Sequence, residues 1–168
     1  MAKSRVEVKK KDTGWKEFFR RASEIKNGRV RVGILSDSEK GGMHVEGSDL
    51  TVAEIAAVNE FGTEDGHIPE RSFLRSTFDE QREQMVEDGK KLMGQVLDGK
   101  MPVARALGLL GLKLATAVKK KIAGVVPPPN AASTIAHKGS DHPLIDTGRM
   151  LNAITWAIDS GDGESGKE

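Results

Sequence analysis

Residues 51–80, TVAEIAAVNEFGTEDGHIPERSFLRSTFDE, constrain the fold more than any other stretch, because two helix signals meet there across a turn. Thr51 with Glu54 three residues on has the form of a capping box, and Leu50 with Ile55 can form the accompanying hydrophobic staple. A helix from about Val52 follows, its apolar Val52, Ile55, Ala56, Val58 and Phe61 covering more than one face, as in a short buried helix. Gly62 ends it by supplying a left-handed residue. Pro69 then biases Ile68 towards extended backbone. A second helix starts near Ser72 and runs to about Leu97, with Phe73, Leu74, Phe78, Met85, Leu92 and Val96 forming an amphipathic stripe. Residues 52–97 are therefore a central helix, turn, extended arm and helix. Ile68 and Phe73, flanked by Glu70, Arg71 and Arg75, suit a partner contact with an apolar anchor inside a polar rim; they would equally well close the core.

The flanking chain supplies the sheet. Residues 5–9 alternate, with Val6 and Val8 on one face, and predict a first strand. Asp12 or Thr13 can cap a helix whose Trp15, Phe18, Phe19, Ala22 and Ile25 fall on one side, a face expected to pack on the sheet; Asn27-Gly28 ends it. Residues 29–35 alternate again, with Val30, Val32 and Ile34 inward. Residues 36–49, carrying Gly41-Gly42 and Gly47, read as a surface loop, and no lysine and hydroxyl follow those glycines at phosphate-loop spacing.

After a break at Asp98-Gly99, a helix is predicted from Pro102 to Ile122. Beside its apolar stripe it carries small residues Ala104, Gly108, Gly111 and Ala115. Interior glycine costs about 1 kcal/mol relative to alanine, so the pair implies close approach of another backbone, from the preceding helix or another subunit. Residues 124–143, with Pro127, Pro128 and Pro129, lack an apolar period and read as an extended arm. At roughly 20 residues that is long for a structureless loop in one domain, and suits an arm that orders on a neighbour. Ile154, Trp156 and Ile158 alternate in a last strand, and residues 159–168 are Gly, Ser and charge, a disordered tail. The fold class that results is a single α+β domain over residues 1–158, with a small mixed or antiparallel sheet of about three strands and helices on one face.

Two pieces of this pattern carry a resemblance. EIAAVNEFGT followed by IPERSFLRSTFDE, together with PLIDTGRMLNAITWAI at 143–158, resembles the tail-completion and head-tail joining proteins of long-tailed bacteriophages. That family commonly shows an Asn-Glu-Phe-Gly-Thr turn, a Pro-x-Pro-Phe-Leu-Arg helix start and a Leu-Ile-Asp-Thr-Gly-Arg segment before the last strand. Here Ser72 stands where the second proline is usual, with Glu70 and Arg71 between. The resemblance implies a non-enzymatic structural protein of the virion neck or tail end, made in the host cytoplasm. It implies self-association into a closed ring, sixfold by analogy, that meets the head connector or adaptor and the tail tube or terminator, with transient contact to packaged DNA. The interface residues it implies are Asn59, Glu60, Phe61, Gly62, Thr63, Ile68, Pro69, Arg71, Phe73 and Arg75, with Pro127, Pro128 and Pro129 on the arm and Asp146, Thr147, Gly148 and Arg149 on the second turn.

Other chemistry fits less well. Lys and Arg number 26 against 25 Asp and Glu, so no whole-chain field draws nucleic acid or membrane, although Lys9 to Lys11 and Lys119 to Lys121 could form a local nucleic-acid-binding module. The absence of cysteine excludes disulfides and thiolate metal sites and fits a reducing compartment. No run approaches the roughly 20 apolar residues of a membrane span, and the first residues lack the apolar core of a signal peptide. His44, His67, His137 and His142 show no metal-ligand spacing, so no cofactor is expected. Asp146-Thr147-Gly148 matches the aspartic-protease triplet, but too little chain follows for the strands and flap such a half-site needs. A better role for Asp146 is to cap the turn after it, leaving Arg149 to pair with a nearby carboxylate.

Overall fold

The computed structural model describes residues 14–159. Its elements are α1 (Trp15–Asn27), β1 (Arg29–Ile34), α2 (Val52–Phe61), α3 (Leu74–Leu97), α4 (Val103–Ala123), α5 (Ala132–Lys138), α6 (Arg149–Ala153) and β2 (Ile154–Asp159). The predicted strand at 5–9 and the cap at Asp12 or Thr13 lie outside the described residues.

Within them the fold is α+β, with β1 and β2 paired antiparallel. Val30, Val32 and Ile34 oppose Ile158, Trp156 and Ile154, so alternation gathers three apolar pairs on one face, and α4 lies on it. Helix α4 joins two apolar clusters. Its first turns hold Val103, Ala106 and Leu107 against Val96 of α3; its last hold Ala115, Val118 and Ile122 against Val52, Phe73, Leu144, Met150 and Ile154.

The small stripe of α4 receives a ring rather than a second backbone. A Cβ on Gly108 would stand 3.2 Å from the Trp156 ring, and one on Gly111 would meet Val30 Cγ2 at 2.9 Å and the indole at 3.0 Å. The glycines thus let a flat side chain lie against the helix. Gly111→Ala gains about 1 kcal/mol of helix propensity and loses about 1–3 kcal/mol to overpacking. Net destabilisation is expected, read as a lower urea midpoint, whereas Gly108→Ala, meeting only the ring edge, should be close to neutral.

Helix α1 departs from the expected packing. It lies beside α3 and α4, not on the sheet, and none of its residues is fully buried. Gly28 abuts Val103 and Leu107, and Arg21 donates to the carbonyl of Leu97 at 3.2 Å, which fixes α1 at the turn between α3 and α4. Only Ile25 reaches that end of the core. Trp15, Phe18 and Phe19 pack on one another, with ring centroids 5.8 Å apart, and remain 60%, 38% and 64% exposed.

The arm at 124–143 is not wholly extended, because α5 interrupts it. Ala132 and Ala136 favour helix, and Gly139, at φ 70°, closes it with its N–H on the Ile135 carbonyl. Its exposed faces leave no apolar stripe to read. Asp159, assigned by sequence to the tail, belongs to β2: it pairs with Arg29, and its carboxylate accepts from Arg31 Nε at 2.8 Å.

Candidate assembly interface

Helix α2 begins as its sequence demands: Thr51 Oγ1 accepts from the Glu54 N–H at 3.2 Å, and Glu54 Oε2 accepts from the Thr51 N–H at 2.7 Å. It ends at Gly62, whose φ of 72° and ψ of −178° lie in a region essentially restricted to glycine. Position 62 also leaves no room, since a Cβ there would meet Glu70 N at 2.8 Å and Ile68 O at 2.9 Å.

Between the helices the turn closes on itself. The Thr63 N–H donates to the Ile68 carbonyl, the Ile68 N–H to Thr63 Oγ1, and the Thr63 hydroxyl and His67 N–H both donate to Asp65 Oδ1. Those two donors hold the Asp65 carboxyl below its ordinary range. The loop stays on the surface, with Glu64, Asp65, Gly66 and His67 exposed and Ile68 and Pro69 half-buried.

The centre of the stretch is Glu60, only 2% exposed. One carboxylate oxygen accepts from Ser72 Oγ at 2.9 Å, the Arg75 N–H at 3.0 Å and Arg75 Nε at 3.1 Å; the other accepts from the N–H groups of Phe73 and Leu74, both at 2.8 Å. Helix α3 has no side-chain cap of its own on Phe73. Glu60 supplies that cap from the preceding helix, satisfying first-turn donors and placing negative charge at the positive end of the α3 dipole. Burial pushes its pKa up, but the N–H groups of Leu74, Arg75 and Phe73 and the Ser72 hydroxyl together outweigh this, leaving it below the ordinary glutamate value. Arg75 completes the tie: its Nη2 donates to Glu60 O and Glu70 Oε1, and its guanidinium lies 4.7 Å from the ring centroid of exposed Phe61.

Arg71 fastens the proline arm. It is buried, its N–H donates to Asn59 O at 2.8 Å, and its guanidinium donates to Pro128 O, Pro129 O and Asn130 Oδ1 at 2.9, 3.3 and 3.4 Å. Burial lowers its pKa. Because the acceptors are carbonyls at an exposed arm, water can replace Arg71 in part, and Arg71→Ala should cost about 1–3 kcal/mol. Hydrogen exchange checks it: amides in 126–139 should exchange faster while those in the middle of α3 do not change.

The second motif lies against α2. Val45, Val52, Ile55, Pro143, Leu144 and Met150 form the apolar walls of a cavity of about 160 Å³ that opens to solvent. Asn59, Lys138, Asp146, Thr147, Gly148 and Arg149 form its polar part. Asp146, Thr147 and Arg149 are exposed. Asp146 does not cap α6: Gly148, at φ 74°, is the capping residue, the Asn152 N–H bonds to its carbonyl, and no side chain takes part. Arg149 does find a carboxylate, Glu46, at 3.7 Å.

The structure therefore brings Asn59 and residues 146–149 around one cavity, and Arg71 with Pro128 and Pro129. No hydrogen bond or ion pair joins 63–75 directly to 146–149 among the described residues. Phe73 is completely buried and Glu60 and Arg71 nearly so, so these three hold the surface in place from beneath instead of facing a partner. Sequence reasoning placed Glu60 among the interface residues and gave it no part in capping α3. The missed signal is spacing: Glu60 follows Val52 and Ala56 at intervals of four, on the one stripe of α2 that is fully buried.

Of the lysines considered for nucleic acid, Lys121 Nζ pairs with Glu80 at 2.5 Å and Lys119 and Lys120 are exposed; Lys9 to Lys11 lie outside the described residues. No cluster of three His, Asp or Glu side chains able to hold a metal occurs among the described residues, and no helix there is long and apolar enough to cross a membrane. No protein family, curated protein or solved structure matches the chain.

Proposed function

We propose that this chain is a structural protein of the neck or tail end of a long-tailed bacteriophage, whose copies close into a ring of about six that joins or completes the tail. The observation that carries this reading is the rigid mounting of an exposed turn. Glu60 and Arg71 use buried charged groups to hold residues 61–75 and the proline arm in place, while the tip of that turn, Glu64, Asp65, Gly66 and His67, stays exposed and is tied only to the turn itself among the described residues. A heterologous ring needs such a preformed surface on each subunit and a different one to receive it. The ring's neighbours would be the head connector or adaptor and the tail tube or terminator.

Composition of purified particles tests the proposal. Mass spectrometry should find the chain at a fixed copy number of about six per particle. Its absence from particles, with normal abundance in the infected cell, would overturn the assignment.

A further inference from the structure

The molecule carries an apolar knob and an apolar hole at opposite ends of α4. The knob is the ring cluster of α1, a helix anchored where α3 turns into α4 through Arg21, Gly28 and Ile25. The hole is the cavity beside α2, whose Val52 and Met150 belong to the same cluster as Val118 and Ile122 in the last turns of α4. From Val103 to Ile122 the helix rises by roughly 28 Å at 1.5 Å per residue.

Resting on the ring reading, we propose that α1 of one copy docks its aromatic cluster into the α2 cavity of the next, with Phe19 as the inserted ring. Three observations select a second copy as the occupant. A cavity of about 160 Å³ matches in size the roughly 150 Å³ space that takes up one benzene. Phe19 is the most exposed of the three rings and is stacked on Trp15, so little ordering remains to be done on docking. Charge agrees at one point: Lys16, three positions from Phe19 on the helix surface, and Asp146 on the cavity rim have no ion-pair partner among the described residues, whereas the rim cations Lys138 and Arg149 are engaged by the His142 carbonyl and Glu46. Because knob and hole are different patches at separate ends, one contact leaves both unmatched patches open, and repetition builds a chain that can close.

The absence of native cysteine makes the test direct. Full-length protein carrying both Phe19→Cys and Ile55→Cys is treated with a short bis-maleimide at its highest soluble concentration, beside each single variant and a mixture of the two singles. Docking predicts covalent bands of three and more copies for the double variant, dimers only for the mixture, and monomer for each single variant. Trp15→Ser with Phe19→Ser should weaken self-association of the otherwise native chain about a hundredfold, as loss of two aromatic hot spots does. Efficient dimers from Phe19→Cys alone would mean that the rings pair with one another and would overturn the proposal. So would cosedimentation of the native chain with anionic vesicles that the double serine variant loses, which would assign the rings to lipid. If light scattering finds multimers that the two cysteines do not link, this contact is wrong and the ring stands. If no multimer forms and particles lack the chain, the ring reading fails with it.

Discussion

Replacing Glu60 by alanine should destabilise the protein by about 3 kcal/mol, because one deletion strands the buried Phe73 N–H and several part-buried donors at once. The N–H of Phe73 loses its acceptor in the core, those of Leu74 and Arg75 lose theirs at the head of α3, and the Arg75 guanidinium loses one of its three hydrogen bonds. Two other ion pairs made by α3 carboxylates offer no comparison: Glu80 with Lys121 of α4 and Glu87 with Lys90 are pairs with exposed carboxylates, worth at most about 1 kcal/mol. Glu60→Gln, which keeps an acceptor oxygen, should lose less. Urea unfolding with an unchanged slope is the measurement, and a loss below about 1 kcal/mol for Glu60→Ala would mean that the hub holds nothing. The same group gives a pH dependence. Its folded-state pKa lies below the unfolded one, so its contribution is present above the unfolded value of about 4.3 and is lost as pH falls through the folded value. Glu60→Gln should therefore flatten the acid limb of the stability profile.

Gly62→Ala is the second large effect, expected at about 3 kcal/mol from two causes that act together. The backbone angles there admit essentially glycine alone, and the new methyl would meet the amide of Glu70 and the carbonyl of Ile68, both backbone atoms that cannot rotate aside. Relief would require opening the turn that Thr63 and Ile68 close, so the exposed loop should lose its shape before the core does. Thermal unfolding measures the loss in stability, and hydrogen exchange at the amides of Thr63 and Ile68 should report the local opening.

Local rules were legible wherever they act within a few residues. The α2 capping box, the stop at Gly62, the ends of α3 and α4, and the two alternating strands all follow from spacing and from the conformational limits of single residues. What was not legible depends on which partner arrives from far along the chain. Gly108 and Gly111 announced a close approach, but only the fold shows that the visitor is Trp156, more than forty positions on. The one-sided apolar pattern of α1 promised a buried face, yet nothing local says that Gly28 sets the helix beside the start of α4 and leaves Trp15 and Phe19 outside. At the candidate interface, residues 61–70 and 146–149 were recognisable as surface turns, whereas the roles of Glu60 and Arg71 beneath them depend on Phe73 and Pro128. Asp146 was read as a cap because its spacing allows one; Gly148, already in the left-handed conformation, takes that place.

Imaging purified particles at side-chain detail tests the central claim most directly. The account predicts a closed ring of this chain between head and tail, with residues 61–70 and 146–149 against neighbouring proteins and α1 of each copy reaching the cavity beside α2 of the next. A ring in which those two turns face only solvent, or particles without density for this chain, would contradict it.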